Sequence, residues 1–182
     1  QPPRTDRKTA ESRVVVPAGG AEPFEVLAAT EFLQASFPGA TRLVPSIGLT
    51  ERGAALLTGA SGEGKSIFAA NLAVAWTGID LPIGQAIPAV RPLRVMLFQV
   101  EDAPGIVQER LRMVLGSSPV PVGLFIFKRD EPMRFSGARG KPNAWALERL
   151  EATLRRHGPI DIVIFDPLVY LHEAEENSSS EM

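Results

Sequence analysis

The sequence predicts an α/β fold: a parallel β-sheet flanked by helices. Three observations predict it. Strand-length apolar runs alternate with helix-length segments from residue 54 onward, an order that winds into a parallel sheet through right-handed crossovers. A glycine-rich loop, Gly59-Ala60-Ser61-Gly62-Glu63-Gly64-Lys65-Ser66, separates one such run from the helix after it. A later run, Ile160-Asp161-Ile162-Val163-Ile164-Phe165-Asp166, closes on a carboxylate. Ligands of such sheets bind at the carboxyl ends of the strands, where the loop and this Asp fall.

Whole-chain numbers fit one domain. The 182 residues are 45% hydrophobic and 22% charged, the composition of a soluble globular chain. With no Cys, disulfides and Cys-based metal sites are excluded, and a reducing cytoplasm is the expected location. No apolar run reaches membrane-spanning length, so no membrane partner is expected. A net charge of −2 argues against a surface built for duplex DNA, which calls for a basic stripe. The chain begins at Gln1 and stops at Met182 in what reads as the start of a helix. A processed protein, or a fragment of a longer one, is expected.

Residues 1–20 are polar and basic and end in Pro17-Ala18-Gly19-Gly20, which predicts a flexible arm or linker before a core spanning 21–182. Glu22 to Ser36 places Phe24, Leu27, Ala28, Phe32 and Ala35 near one helical face, with Pro23 in the first turn. Ala54-Ala55-Leu56-Leu57-Thr58 reads as a short buried strand. The helix from Ser66 to Thr77 is apolar almost all round, so it is covered on most sides, with Trp76 in the core and Gly78 as the stop. A loop containing Pro82, Pro88 and Pro92 follows.

Val95-Met96-Leu97-Phe98-Gln99-Val100 is a nearly continuous apolar run, the mark of a central parallel strand buried on both faces. Pro104 opens a helix that Gly116 ends, and residues 123–127 form another strand. The stretch 128–143, with Lys128, Arg129, Arg134, Arg139 and Lys141, reads as a solvated loop or as a contact to a polyanion or a neighbouring subunit. Asn143 caps a helix through His157, with Trp145, Leu150 and Leu154 facing inward. Last comes the strand that ends at Asp166.

The glycine loop fits G-x-x-x-x-G-K-[ST], the phosphate-binding pattern called Walker A. Its glycines let successive N–H groups point into one concavity, an anion nest. The helix that follows adds unpaired N-terminal donors and the positive end of its dipole. The expected nucleotide-binding set is therefore Gly59, Ala60, Ser61, Gly62, Glu63, Gly64, Lys65, Ser66 and Ile67. Lys65 would set its ammonium on the β- and γ-phosphate oxygens, and Ser66 its hydroxyl on a Mg²⁺ ion bridging them. An apolar strand closing on Asp166 is the Walker B pattern, whose Asp holds the metal or its water. Glu101 lies just past the strand after the Walker helix. Hydrolysis needs a carboxylate there to orient water and accept its proton. Its neighbour Asp102 is either the cap of the next helix or a partner of Glu101.

With GASGEGKS at 59–66, VMLFQVED at 95–102, QERLRMVLG at 108–116 and IDIVIFDPL at 160–168, residues 43–182 resemble the RecA-like P-loop ATPases. Within them the chain resembles the RepA-type hexameric replicative helicases. That resemblance implies ATP and Mg²⁺ as cofactors, Glu101 as the catalytic glutamate and Asp166 as the Walker B aspartate. It also implies a homo-oligomeric ring, possible contact with single-stranded DNA and a role in replication. Such proteins carry a further sensor strand and arginine fingers, which no stretch up to Met182 supplies, so the core is expected to be incomplete at its C-terminal side. The segment 169–180, which in such proteins leads toward the DNA channel, is acidic here (Glu173, Glu175, Glu176). Other readings are a RecA-like ATPase in recombination or signalling, a P-loop kinase, and a nucleotide-binding switch or loader with little hydrolysis.

Overall fold

Residues 26–128, 134–136 and 142–171 are described by the structure, a computed structural model. The predicted arm at 1–20, the basic residues Arg129, Arg139 and Lys141, and the acidic stretch from His172 onward lie outside these residues. The chain divides into two units, Gln1–Pro38 and Gly39–Met182. In the first, helix α1 (Ala29–Gln34) is shorter than the predicted span. Its first turn is closed by the Ala28 N–H, which donates to Glu31 Oε2 at 3.1 Å, and the Phe32 and Phe37 rings lie 4.8 Å apart.

The second unit is built on a parallel sheet in the order β4-β3-β5, from β3 (Val95–Gln99), β4 (Leu124–Ile126) and β5 (Ile162–Asp166). Every residue of β3 is buried, as its unbroken apolar run requires of a central strand. The period of two sorts its side chains between two layers. Val95 packs with Leu72, Ala73 and Trp76 of helix α2 (Lys65–Trp76), joined by Ile162 and Ile164 of β5. Met96, Phe98 and Val100 face the other way, onto Leu150 and Leu154 of helix α5 (Ala144–His157). There Phe98 stacks on Phe127 at 4.8 Å and meets Phe165 at 5.2 Å. Ahead of the sheet, β1 (Arg42–Val44) and β2 (Leu49–Thr50) form an antiparallel pair. Leu43 and Val44 of that pair seal the α2 layer.

Helix α2 begins one residue earlier than predicted, and Trp76 is a core residue, its Nε1 donating to the Ile87 carbonyl at 2.9 Å. The loop after it contains a short helix α3 (Pro82–Ala86), with Pro82 in its first turn. Helix α4 (Pro104–Leu115) matches its predicted bounds. Trp145 departs from expectation: it is 54% exposed, and Ala146 is the buried residue of α5. The inward stripe runs 146, 150, 154, so Trp145 sits about 100° off it. Arg149 covers its ring instead, at 4.6 Å.

The predicted strand at Ala54–Thr58 is a second correction. The segment forms no strand and its residues are exposed, Leu56 at 74% and Leu57 at 50%. A strand exists through its partner, and among the described residues β5 pairs with β3 and no other strand. Nothing described pairs with 54–58.

At the opposite end of the sheet from Asp166, Asp161 ties the starts of β3 and β5. Arg91 donates to it twice, at 2.6 and 3.1 Å, and the Arg94 N–H at 2.8 Å. Arg94 also donates to the carbonyls of Pro159 and His157, both at 2.7 Å, which closes the C-terminal end of α5. The hydrogen bond from Arg91, foremost, holds the Asp161 carboxyl below the usual carboxylate range, against the raising effect of burial. A lowered folded-state pKa means the unfolded chain takes up the proton first as pH falls. This stability is present above the ordinary carboxylate pKa and lost as pH falls through the lowered one. We expect Asp161→Asn to lower the neutral-pH melting temperature by about 3 °C. Melting curves of wild type and variant should converge in acid; a constant gap would contradict the assignment.

Candidate functional site

The site forms where the sheet parity, the first turn of α2 and the glycine loop meet. Positions 162, 164 and 166 of β5 share the face covered by α2, so Asp166 points toward the start of that helix. There the Ser66 hydroxyl donates to Asp166 Oδ1 at 3.1 Å, joining residues 100 apart in sequence. The β3–β5 register sets Gln99 beside Asp166, and Gln99 Nε2 donates to Asp166 Oδ2 at 2.9 Å. Both carboxylate oxygens thus have defined partners, and the residue is only 8% exposed.

The loop has the backbone that its glycines are needed for. Gly62 and Gly64 both take φ +82°, and a Cβ at either would meet nothing within 4 Å. Glycine is therefore required there for the backbone turn, since a side chain would be strained at that φ. The first intrahelical bond of α2 runs from the Phe68 N–H to the Gly64 carbonyl, so the N–H groups of Lys65, Ser66 and Ile67 come before it. Ile67 is 46% exposed in this first turn. Lys65 Nζ folds over the loop and donates to the carbonyls of Gly59 at 2.6 Å and Ala60 at 2.5 Å. Ser61 lies in the exposed turn between them and Gly62.

Glu63 does something its sequence position does not disclose. Its carboxylate accepts from the Ala60 N–H at 2.8 Å, bracing the loop across its own width. A Cβ on Gly59 would meet that carboxylate at 2.5 Å, so the brace needs Gly59 as well.

Glu101 is exposed and follows β3 by two residues, at the same sheet end as Asp166. Asp102 does not cap α4, whose N-cap is Ala103. It lies 2.8 Å from Arg110 Nη1, and both side chains are largely buried. The pair pins the Glu101-Asp102 bend to α4. Arg110, Gln99 and the Glu63 brace were missed by sequence reasoning. Gln99 had a signal, as the one polar residue in 95–100; the others required knowing which atoms meet.

Among the described residues no group of three or more His, Cys, Asp or Glu is placed to hold a metal ion. Ser66 and Asp166 fit a metal that takes most of its ligands from phosphate and water, as Mg²⁺ does. A surface hollow of about 300 Å³ lies at the other end of α2, lined by Trp76, Asp80 and Arg91 among others. The helical rise from Ser66 to Trp76 puts about 15 Å between them, so the hollow is no part of this site. Among the described residues no helix is long and apolar enough to cross a membrane.

A family model described as an AAA domain matches residues 20–182. No curated protein and no solved structure matched the chain. The family model spans nearly the whole sequence and the sheet is parallel and helix-flanked, as a RecA-like fold requires. The chain therefore belongs to the AAA domain family, P-loop ATPases related to RecA-like and RepA-type helicases.

Proposed function

We propose that the chain hydrolyses ATP with Mg²⁺ at the Gly59–Ser66 loop, as the motor core of a ring-forming helicase acting on single-stranded DNA. The observation that carries the ATPase site is the 3.1 Å bond between Ser66 and Asp166. It puts the two expected metal-holding groups side by side at the mouth of an anion-binding loop. In this reading the N–H groups from Gly62 to Ile67 receive the phosphate oxygens. Lys65 exchanges the carbonyls of Gly59 and Ala60 for β- and γ-phosphate oxygens. Ser66 and Asp166 would hold Mg²⁺, which when bound would neutralise charge on those phosphates. Glu101 orients the attacking water and accepts its proton as the new bond to the γ-phosphorus forms and the bond to the bridging oxygen of ADP breaks. Asp102 and Arg110 hold the bend that carries Glu101.

Support for the motor reading is the resemblance carried by the Glu101-Asp102 pair and by Asp166-Pro167-Leu168. A hexameric ring and a place in replication come from the same source. A motor of this kind couples its nucleotide site to DNA. Single-stranded DNA is expected to raise phosphate release about tenfold, within the ordinary range of allosteric coupling, and less so at higher salt. Unchanged release across single-stranded DNA concentrations would remove the helicase reading and leave the ATPase one.

A further inference from the structure

Gln99 holds a position that an apolar side chain of its size would fill. It ends a strand whose other residues are all apolar and buried, and is itself 3% exposed. Its amide has one defined orientation. The amide nitrogen is the donor of the pair and faces Asp166, as the 2.9 Å bond from Nε2 to Oδ2 records. The amide oxygen then turns away. Oε1 is buried and has no hydrogen-bond partner among the described residues. Native interiors rarely leave such an acceptor empty, and an orphan atom asks for a ligand that completes it. By the period of two, Gln99 lies on the α2 face of the sheet with Val95. That is the face on which Ser66 meets Asp166.

We propose that Gln99 is a positioning residue of the nucleotide site. Its nitrogen fixes the Asp166 carboxylate so that Oδ1 faces Ser66, and its oxygen accepts a hydrogen bond from a water of the bound magnesium nucleotide. This rests on the reading of Ser66 and Asp166 as the metal-holding pair. Residues that orient a metal-holding carboxylate act on metal affinity while touching neither metal nor phosphate. Waters on a small divalent cation are strong donors that need acceptors. Oε1, on the same amide as the nitrogen that holds Asp166, offers one.

The test separates metal-dependent from metal-independent nucleotide binding in the full chain. The dissociation constant of a fluorescent ATP analogue is measured with excess Mg²⁺ and with EDTA, for wild type, Gln99→Leu and Gln99→Met. Both variants remove the amide at nearly constant volume, and Gln99→Met carries the test if Gln99→Leu fails to fold. The EDTA constant should stay within about twofold of wild type, and the gain from Mg²⁺ should shrink about tenfold, as for other groups that orient metal-holding side chains. Variants with the wild-type gain from Mg²⁺ would overturn the proposal. So would equal weakening in both buffers, the signature of a merely structural amide. Wild-type chain that binds the analogue without any gain from Mg²⁺ would instead overturn the Ser66–Asp166 reading beneath it.

Discussion

Glu101→Gln is expected to lower ATP turnover about a thousandfold, the scale of losing a general base, while nucleotide affinity stays within about twofold. The change is isosteric and the side chain is exposed at its bend, so the fold has little reason to respond. The bend itself is held from the neighbouring position, by Asp102 against Arg110 at 2.8 Å. The amide can still orient water but cannot take its proton. Steady-state phosphate release and equilibrium binding of an ATP analogue measure the two halves of this expectation. Turnover at the wild-type rate would show that the proton goes elsewhere. It would also favour a nucleotide-binding switch, or a kinase, over a hydrolase.

Lys65→Ala should act on the other half. The ammonium is the one cationic side chain of the 59–66 loop, held over it at 2.6 and 2.5 Å from two carbonyls. In the proposed site, deleting it removes a charge-assisted contact to the phosphates, and affinity for ATP should fall on the order of a hundredfold. Folding should be nearly untouched, since both partners are exposed carbonyls of the same loop. The check is the nucleotide-induced rise in melting temperature, which follows affinity by mass action. It should vanish in the variant while the nucleotide-free melting temperature holds.

What was legible in the sequence follows from where burial writes a pattern. Residues 95–99 are apolar because both faces are covered, and α2 is apolar all round because sheet, α3 and α4 surround it. Both were readable to within a residue or two. The glycine loop was legible because its backbone needs φ +82° at Gly62 and Gly64. Ala54–Thr58 misled for the opposite reason. Its composition is that of a buried strand, yet pairing depends on a neighbour, which local sequence does not encode. Trp145 misled because an aromatic residue near a helical stripe need not lie on it; its ring is covered by Arg149. In the site, Lys65, Ser66, Glu101 and Asp166 stood out by spacing. Gln99 did not, because its role comes from the β3–β5 register that sets it beside Asp166. Arg110 and Glu63 act through contacts across a helix start and a loop, which no short pattern announces.

We propose that the Gly59–Ser66 loop, Glu101 and Asp166 form one magnesium-dependent ATP-hydrolysing site. Its most direct test is phosphate release from ATP by the wild-type chain, with Mg²⁺ and with EDTA, beside Lys65→Ala. Release should saturate with ATP, stop in EDTA, and be lost in the variant at the same ATP concentration. Release that persists undiminished in EDTA or in Lys65→Ala, or no release with Mg²⁺ from a folded wild-type chain, would contradict it.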